Sequence, residues 1–259
     1  MSSDQTAILN LKFTIAMSNS FFRFKQFIIH QDKCAMKVTT DACLFGAWVA
    51  DKINDLESKA LNGLDIGCGT GLLSLMLAQK CDMDIDAVEI DEETSLQAIE
   101  NEEACSFKNA INIINTDVRS YHAEKKYDII ISNPPFYENE LKSDSSKKNT
   151  AHHSDNLTLD EVLWTIKKNL SKDGLFFLLL PFKRESEIRG LVRESGMKIT
   201  QITVVRQSVN HDYFRVMLMG KNNSEDSAEI IFDEISICDE RQQYTEEFVH
   251  LLEDYYLHL

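Results

Sequence analysis

The stretch Leu61-Asn62-Gly63-Leu64-Asp65-Ile66 runs into Gly67-Cys68-Gly69-Thr70-Gly71 and then into Leu72-Leu73-Ser74-Leu75-Met76-Leu77. A short apolar run, three alternate glycines and a second apolar run read as a strand, a tight turn and a helix. Glycine has no Cβ, so such a turn can take positive φ and let another molecule approach the backbone. The signals then alternate. Strands are expected at Leu61–Ile66, Ile85–Glu89, Asn112–Asn115, Tyr127–Ser132 and Gly174–Leu180. Helices are expected at Gly71–Lys80, Glu92–Cys105, Leu159–Leu170 (capped by Thr158) and Lys183–Ser195, with Thr203–Arg206 and Phe214–Gly220 as a closing pair. This alternation implies an α/β fold with βαβ units around a mostly parallel sheet. Right-handed crossovers bring the strand ends to one edge, where ligands of such sheets bind. Residues 1–55 read as an N-terminal extension packing on the core, and 56–259 as the α/β domain.

Charge is uneven along the chain. The formal net charge is −15, which on its face opposes a polyanionic partner. Residues 82–103 and 225–254, however, hold 21 of the 42 acids and a single base, Arg241. The remainder carries a surplus of base, including Arg23, Lys25, Lys33 and Lys37 early on and Lys183, Arg184, Arg189 and Arg193 later. This balance permits an RNA partner. The six cysteines include no CxxC pair, so no metal site is expected and reduced thiols of a cytoplasmic protein are. No apolar run approaches the roughly 18 residues of a membrane span, and no membrane association is expected.

Two acids accompany the glycine turn. Asp65 precedes Gly67 by two residues, and Glu89 ends the next strand in Asp86-Ala87-Val88-Glu89-Ile90-Asp91. An acid at that place can accept hydrogen bonds from two vicinal ribose hydroxyls, with Asp91 as second choice. The glycine spacing differs from GxGxxG, because the third glycine comes one residue early. The combination resembles motif I and the acidic second-strand end of class I S-adenosylmethionine-dependent methyltransferases. That resemblance implies a Rossmann-like, mostly parallel seven-stranded sheet with an antiparallel closing strand and helices on both faces. It also implies S-adenosylmethionine as cofactor. Asp65, Gly67, Gly69 and Gly71 would surround its methionine part, Glu89 its ribose and Asp117 its adenine amine.

Residues 128–136 read Asp-Ile-Ile-Ile-Ser-Asn-Pro-Pro-Phe. Prolines lack a backbone N–H and fix φ, so the strand must stop near Ser132 and hand over to a stiff loop. The tetrad Asn133-Pro134-Pro135-Phe136 resembles the (Asn/Asp)-Pro-Pro-(Tyr/Phe) motif of methyltransferases acting on planar nitrogens. The resemblance implies catalytic roles: Asn133 and the Pro134 carbonyl accept hydrogen bonds from the amine, the prolines hold the loop, and Phe136 stacks on the extruded base. Asn133 would also border the cofactor. The polar stretch Ser143–Asn149 reads as a substrate lid.

The substrate is narrowed by Phe24-Lys25-Gln26-Phe27, Cys34-Ala35-Met36-Lys37-Val38, Thr40-Asp41 and Gly46-Ala47-Trp48, together with His211–Leu218 and Tyr244–Tyr256. These pieces resemble the valine-tRNA adenine-37 N6-methyltransferases over nearly the whole chain. The resemblance implies N6 methylation of the adenine just 3′ of the anticodon, with the tRNA anticodon loop as partner; separately, a monomer is expected. Lys37, Thr40 and Asp41 would stand at the cofactor's amino-acid end, Asp41 near its ammonium and Lys37 near its carboxylate. Arg23, Lys25, Lys183 and Arg184 would meet RNA phosphates. Thr39 and Ala42 replace common glycines, Phe136 a common tyrosine, and His152-His153 stand where an arginine is frequent. Ribosomal-RNA guanine N2 or a release-factor glutamine are the alternative targets, and a cofactor-binding RNA chaperone without turnover is the alternative class.

Overall fold

The computed structural model describes residues 20–34, 36–54, 61–107, 110–134, 157–222 and 229–259. The expectations placed on Pro135, Phe136, Ser143–Asn149 and His152-His153 lie outside these residues. A small antiparallel pair, β1 (Phe21–Arg23) and β2 (Ile28–His30), comes first, followed by α1 (Thr40–Asn54). The central part runs β3 (Leu61–Ile66), α2 (Leu72–Lys80), β4 (Met83–Glu89), α3 (Glu92–Glu103), β5 (Ile111–Asn115) and β6 (Tyr127–Ser132). It continues with α4 (Leu159–Asn169), β7 (Leu170–Pro181), a 3-10 turn (Phe182–Arg184), α5 (Glu185–Glu194), β8 (Lys198–Ser208), β9 (Tyr213–Lys221), β10 (Ile231–Cys238) and α6 (Glu246–Leu252).

The main sheet has the order β10-β8-β9-β7-β6-β3-β4-β5, and only β9 runs antiparallel to its neighbours. Among the described residues it therefore holds eight strands where seven were expected. The eighth, β10, pairs in parallel with β8, so Ile231 faces Gln201 and Ile235 faces Val205. Its first four residues are all exposed and two are acidic, a pattern that hides an edge strand from sequence reading.

Two apolar clusters line the sheet, one on each face. The first takes Phe45 and Trp48 of α1, Leu75 and Met76 of α2 and Phe248 and Leu252 of α6. The second takes Val162 and Ile166 of α4 and Ile188 and Val192 of α5. Helix α4 begins as its sequence suggests, with Thr158 and Glu161 exchanging side-chain and backbone hydrogen bonds in a capping box. The acidic tail is structural: Phe248, Leu252 and Tyr255 are buried, and the Tyr255 hydroxyl donates to the Met76 carbonyl at 3.0 Å. The early hairpin is fixed by Asn101 of α3. Its Oδ1 accepts from His30 N at 2.8 Å, and its Nδ2 donates to the carbonyls of His30 and Thr70.

The register aligns the strand ends that build the site. Ile66 lies opposite both Val88 and Ser132, and Glu89 opposite Asn115. The β3 turn, Glu89 and the Asn133 loop thus leave the sheet along one carboxyl edge.

Gly220 sits in β9 directly opposite Phe176 of β7. A Cβ added there would lie 2.3 Å from the Phe176 ring and 2.6 Å from the Lys198 carbonyl. Gly220→Ala should therefore cost ~1–3 kcal/mol of stability. Urea unfolding checks this as a lower midpoint at unchanged slope.

Candidate active site

The turn after β3 has the conformation that its glycines suggest. Gly67, Gly69 and Gly71 have φ of 70°, 56° and 81°. Gly67 and Cys68 both donate to the Val88 carbonyl, and Gly71 donates to that of Cys68. A Cβ built on Gly67 or Gly69 meets nothing within 4 Å, whereas one on Gly71 meets Ala98 at 3.6 Å. The first two glycines thus keep a cradle open toward the edge, and the third is favoured by its left-handed backbone rather than by lack of space.

Asp65 is completely buried beneath this cradle. Its Oδ2 accepts from the Ser74 hydroxyl at 2.7 Å, while its Oδ1 has no hydrogen-bond partner among the described residues. Burial pushes the carboxyl from its ordinary 3.8 up to about 7, the Ser74 bond opposing this and the nearby Glu89 charge adding to it. A buried carboxylate with one orphaned oxygen fits a cationic ligand group. Ser74 was not among the expected site residues. Its signal is its place one turn into α2, facing back to the strand that precedes the turn.

Glu89 is nearly buried, and each of its oxygens takes one backbone N–H: Oε2 from Gly69 at 2.9 Å and Oε1 from Asp91 at 2.9 Å. These bonds aim the carboxylate along the edge and leave acceptor capacity on both oxygens. Asp91, the second choice, is committed to capping α3 by accepting from Thr94 N at 2.8 Å. Asp117 is gripped by Arg119, whose guanidinium reaches Oδ1 at 2.9 Å and Oδ2 at 2.6 Å, and this holds its carboxyl below the ordinary range.

Asn133 leaves β6 next to the cradle, half-buried, and Pro134 is buried. The Ser132 hydroxyl donates to the Ile66 carbonyl at 2.8 Å and so ties the loop's first residue to the end of β3. At the other side, Thr40 opens α1. Lys37 donates its Nζ to the Gln31 carbonyl, and Asp41 is ion-paired with Arg215 at 2.6 Å. Asp65, Gly67, Gly69, Glu89 and Asn133 therefore converge, while Asp41 and Asp117 already have protein partners. Among the described residues no group of His, Cys, Asp and Glu could hold a metal ion. None of their helices is long and apolar enough to cross a membrane.

Asp65 carries a pH signature. Between pH 3.8 and about 7 the folded chain holds one more proton at this site than the unfolded chain. Stability contributed by that protonated form is present at the acidic end and lost as pH rises to about 7. Asp65→Asn should flatten this part of the stability profile and be more stable than the parent above neutrality, yet bind cofactor more weakly. Thermal unfolding across pH together with calorimetric titration checks both.

Comparison with known proteins identifies the family. The family described as Methyltransferase small domain matches residues 37–172. A tRNA1(Val) (adenine(37)-N6)-methyltransferase of Dyadobacter fermentans is 40% identical over 92% of this chain and 98% of its own. The protein of the same name from Parabacteroides distasonis is 35% identical over 93% of this chain and 99% of its own. Among solved structures, a predicted O-methyltransferase of Agrobacterium tumefaciens superposes with a TM-score of 0.61 at 16% identity, covering 83% of this chain and 96% of that one. An S-adenosylmethionine-dependent methyltransferase of Clostridium acetobutylicum gives 0.51 at 13% identity over 72% and 93%. These two share the fold, the class I methyltransferase α/β sheet. The chain belongs to the tRNA1(Val) (adenine(37)-N6)-methyltransferase family and is an S-adenosylmethionine-dependent methyltransferase.

Proposed function

We propose that this protein methylates the exocyclic N6 amine of adenine 37 in the anticodon loop of valine tRNA, acting in the cytoplasm. The observation that carries the reading is the convergence of the open glycine cradle, the half-satisfied Asp65 and the Asn133-Pro134 loop on one sheet edge. In this reading Asp65 receives the cationic amino-acid end of S-adenosylmethionine, and Gly67, Gly69 and Gly71 admit its methionine part. Lys37 and Thr40 border that end, while Asp41 is engaged by Arg215. Glu89 takes the ribose hydroxyls, and Asp117 stands at the adenine. S-adenosylmethionine supplies an electrophilic methyl group on a sulfonium sulfur.

An aromatic amine is a weak nucleophile because its lone pair is delocalised into the ring. The Asn133 side-chain oxygen and the Pro134 carbonyl accept its two N–H bonds, which favours a pyramidal nitrogen and aims the lone pair at the methyl carbon. Proline fixes the loop's backbone, so little freedom is lost when the reacting atoms meet. Ser132, bonded to the Ile66 carbonyl, holds this loop in step with the cradle. Phe136 stacks on the base. The anticodon loop suits such capture, because its bases are single-stranded and unstack at little cost.

The test is methyl transfer from labelled cofactor to unmodified valine tRNA, compared with the same tRNA carrying guanine at 37. Transfer should occur only with adenine. Asn133→Ala should lose at least ~100-fold in kcat, measured at saturating cofactor. Transfer to neither tRNA by an enzyme that binds cofactor would turn attention to ribosomal-RNA guanine or a protein glutamine.

A further inference from the structure

Two strands beyond Asn133, the same edge carries a feature that the proposed chemistry does not use. Strand β9 begins at this edge, and its pairing with β8 slips there. Val205 faces Arg215, but the next residue, Arg206, faces Tyr213. Phe214 is the extra residue of a β-bulge. Along the rest of β9 the alternation is regular, with Val216 and Leu218 in one cluster and Met217 in the other. By that alternation Phe214 would share the face of Val216. The bulge instead turns its ring to the face of Met217, where it is half-buried against the cluster that contains α1. Bulges next to active sites commonly re-aim a side chain in this way.

The re-aimed ring is backed by charge. The Arg215 guanidinium lies 5.4 Å from the Phe214 ring centroid. Asp41, in the first turn of α1, holds that guanidinium through a 2.6 Å contact from Nε. The Arg215 side chain keeps 35% of its surface exposed against 13% for Asp41, so the acid anchors a side chain that is still partly open to solvent. Neighbouring strands lie about 4.8 Å apart, which puts the bulge roughly 10 Å from the catalytic loop along the edge. A planar cation beside an aromatic ring at that spacing has the chemistry that captures a single-stranded base: a stacking surface for the ring and a positive charge for the phosphate.

We infer that Phe214 and Arg215, positioned by the bulge and by Asp41, form the platform on which a nucleotide adjoining the target adenine stacks. Phe214 and Arg215 touch the RNA, and Asp41 is a positioning residue acting through Arg215. The inference rests on the proposed function, since it needs a base held in the Asn133 loop.

The experiment measures kcat and KM on an anticodon stem-loop with adenine at the target position, and on two versions made abasic on its 5′ or its 3′ side. With the parent enzyme, one abasic version should raise KM ~10-fold at little change in kcat. With Phe214→Leu, the intact loop should show that raised KM and the abasic penalty should vanish. Arg215→Lys, which keeps charge but loses the plane, should behave in the same direction. Asp41→Asn should follow Arg215→Lys, and Asp41→Glu should restore the parent KM. Cofactor affinity and thermal midpoint should stay near the parent's in Phe214→Leu. If the parent enzyme tolerates both abasic loops, or if Phe214→Leu pays the same abasic penalty as the parent, the platform is overturned while the proposed function stands. If the parent methylates no adenine substrate, the proposed function falls and the platform with it.

Discussion

The site is organised around one buried carboxylate. Asp65 lies one residue from the end of a central strand with no exposed surface, one oxygen bonded to Ser74 and the other without a partner among the described residues. A charge in that position is unfavourable in the ligand-free chain, and burial answers by raising its proton affinity. The surroundings are arranged at its expense. The glycine turn folds over it with positive φ, Glu89 grips that turn through Gly69, and Ser132 ties the next strand's loop to the same end. In the proposed reading a cation delivered to Asp65 removes the penalty, which would couple cofactor binding and local stability through one atom.

The two ends of the chain complete this arrangement rather than decorate it. Asn101 fastens the β1–β2 hairpin to the carbonyl of Thr70 inside the glycine turn. Tyr255 fastens the acidic tail to α2, the helix that the turn begins. Lys25 N donates to the Tyr255 carbonyl, so hairpin and tail meet each other as well. The strongly acidic C-terminal composition therefore hides a packed structural element whose Phe248, Leu252 and Tyr255 are buried.

Much of this was legible because local chemistry dictated it. The strand-glycine-helix stretch, the Thr158 capping box and the proline-stopped strand each follow from residues within a few positions of one another. What sequence reading missed depends on pairing at a distance. Strand β10 is an edge strand with an acidic, exposed beginning, so its alternation carries little apolar contrast. The Phe214 bulge is a property of register between β8 and β9, which neither strand announces alone. Asp41 reads as a first-turn acid near a charged ligand, yet its partner Arg215 lies 174 positions away. Pair partners of charged groups are set by the tertiary fold, and composition cannot rank them.

The most direct measurement of the central claim is proton release on S-adenosylmethionine binding, taken calorimetrically in buffers of different ionisation enthalpy. At roughly pH 6 the free protein should hold Asp65 largely protonated, and a cation docking beside it should expel most of one proton. Asp65→Asn should expel none at that pH. Binding by the parent protein without proton release, or with the same release in Asp65→Asn, would contradict the account, because Asp65 would then not be the group that meets the cofactor's positive charge.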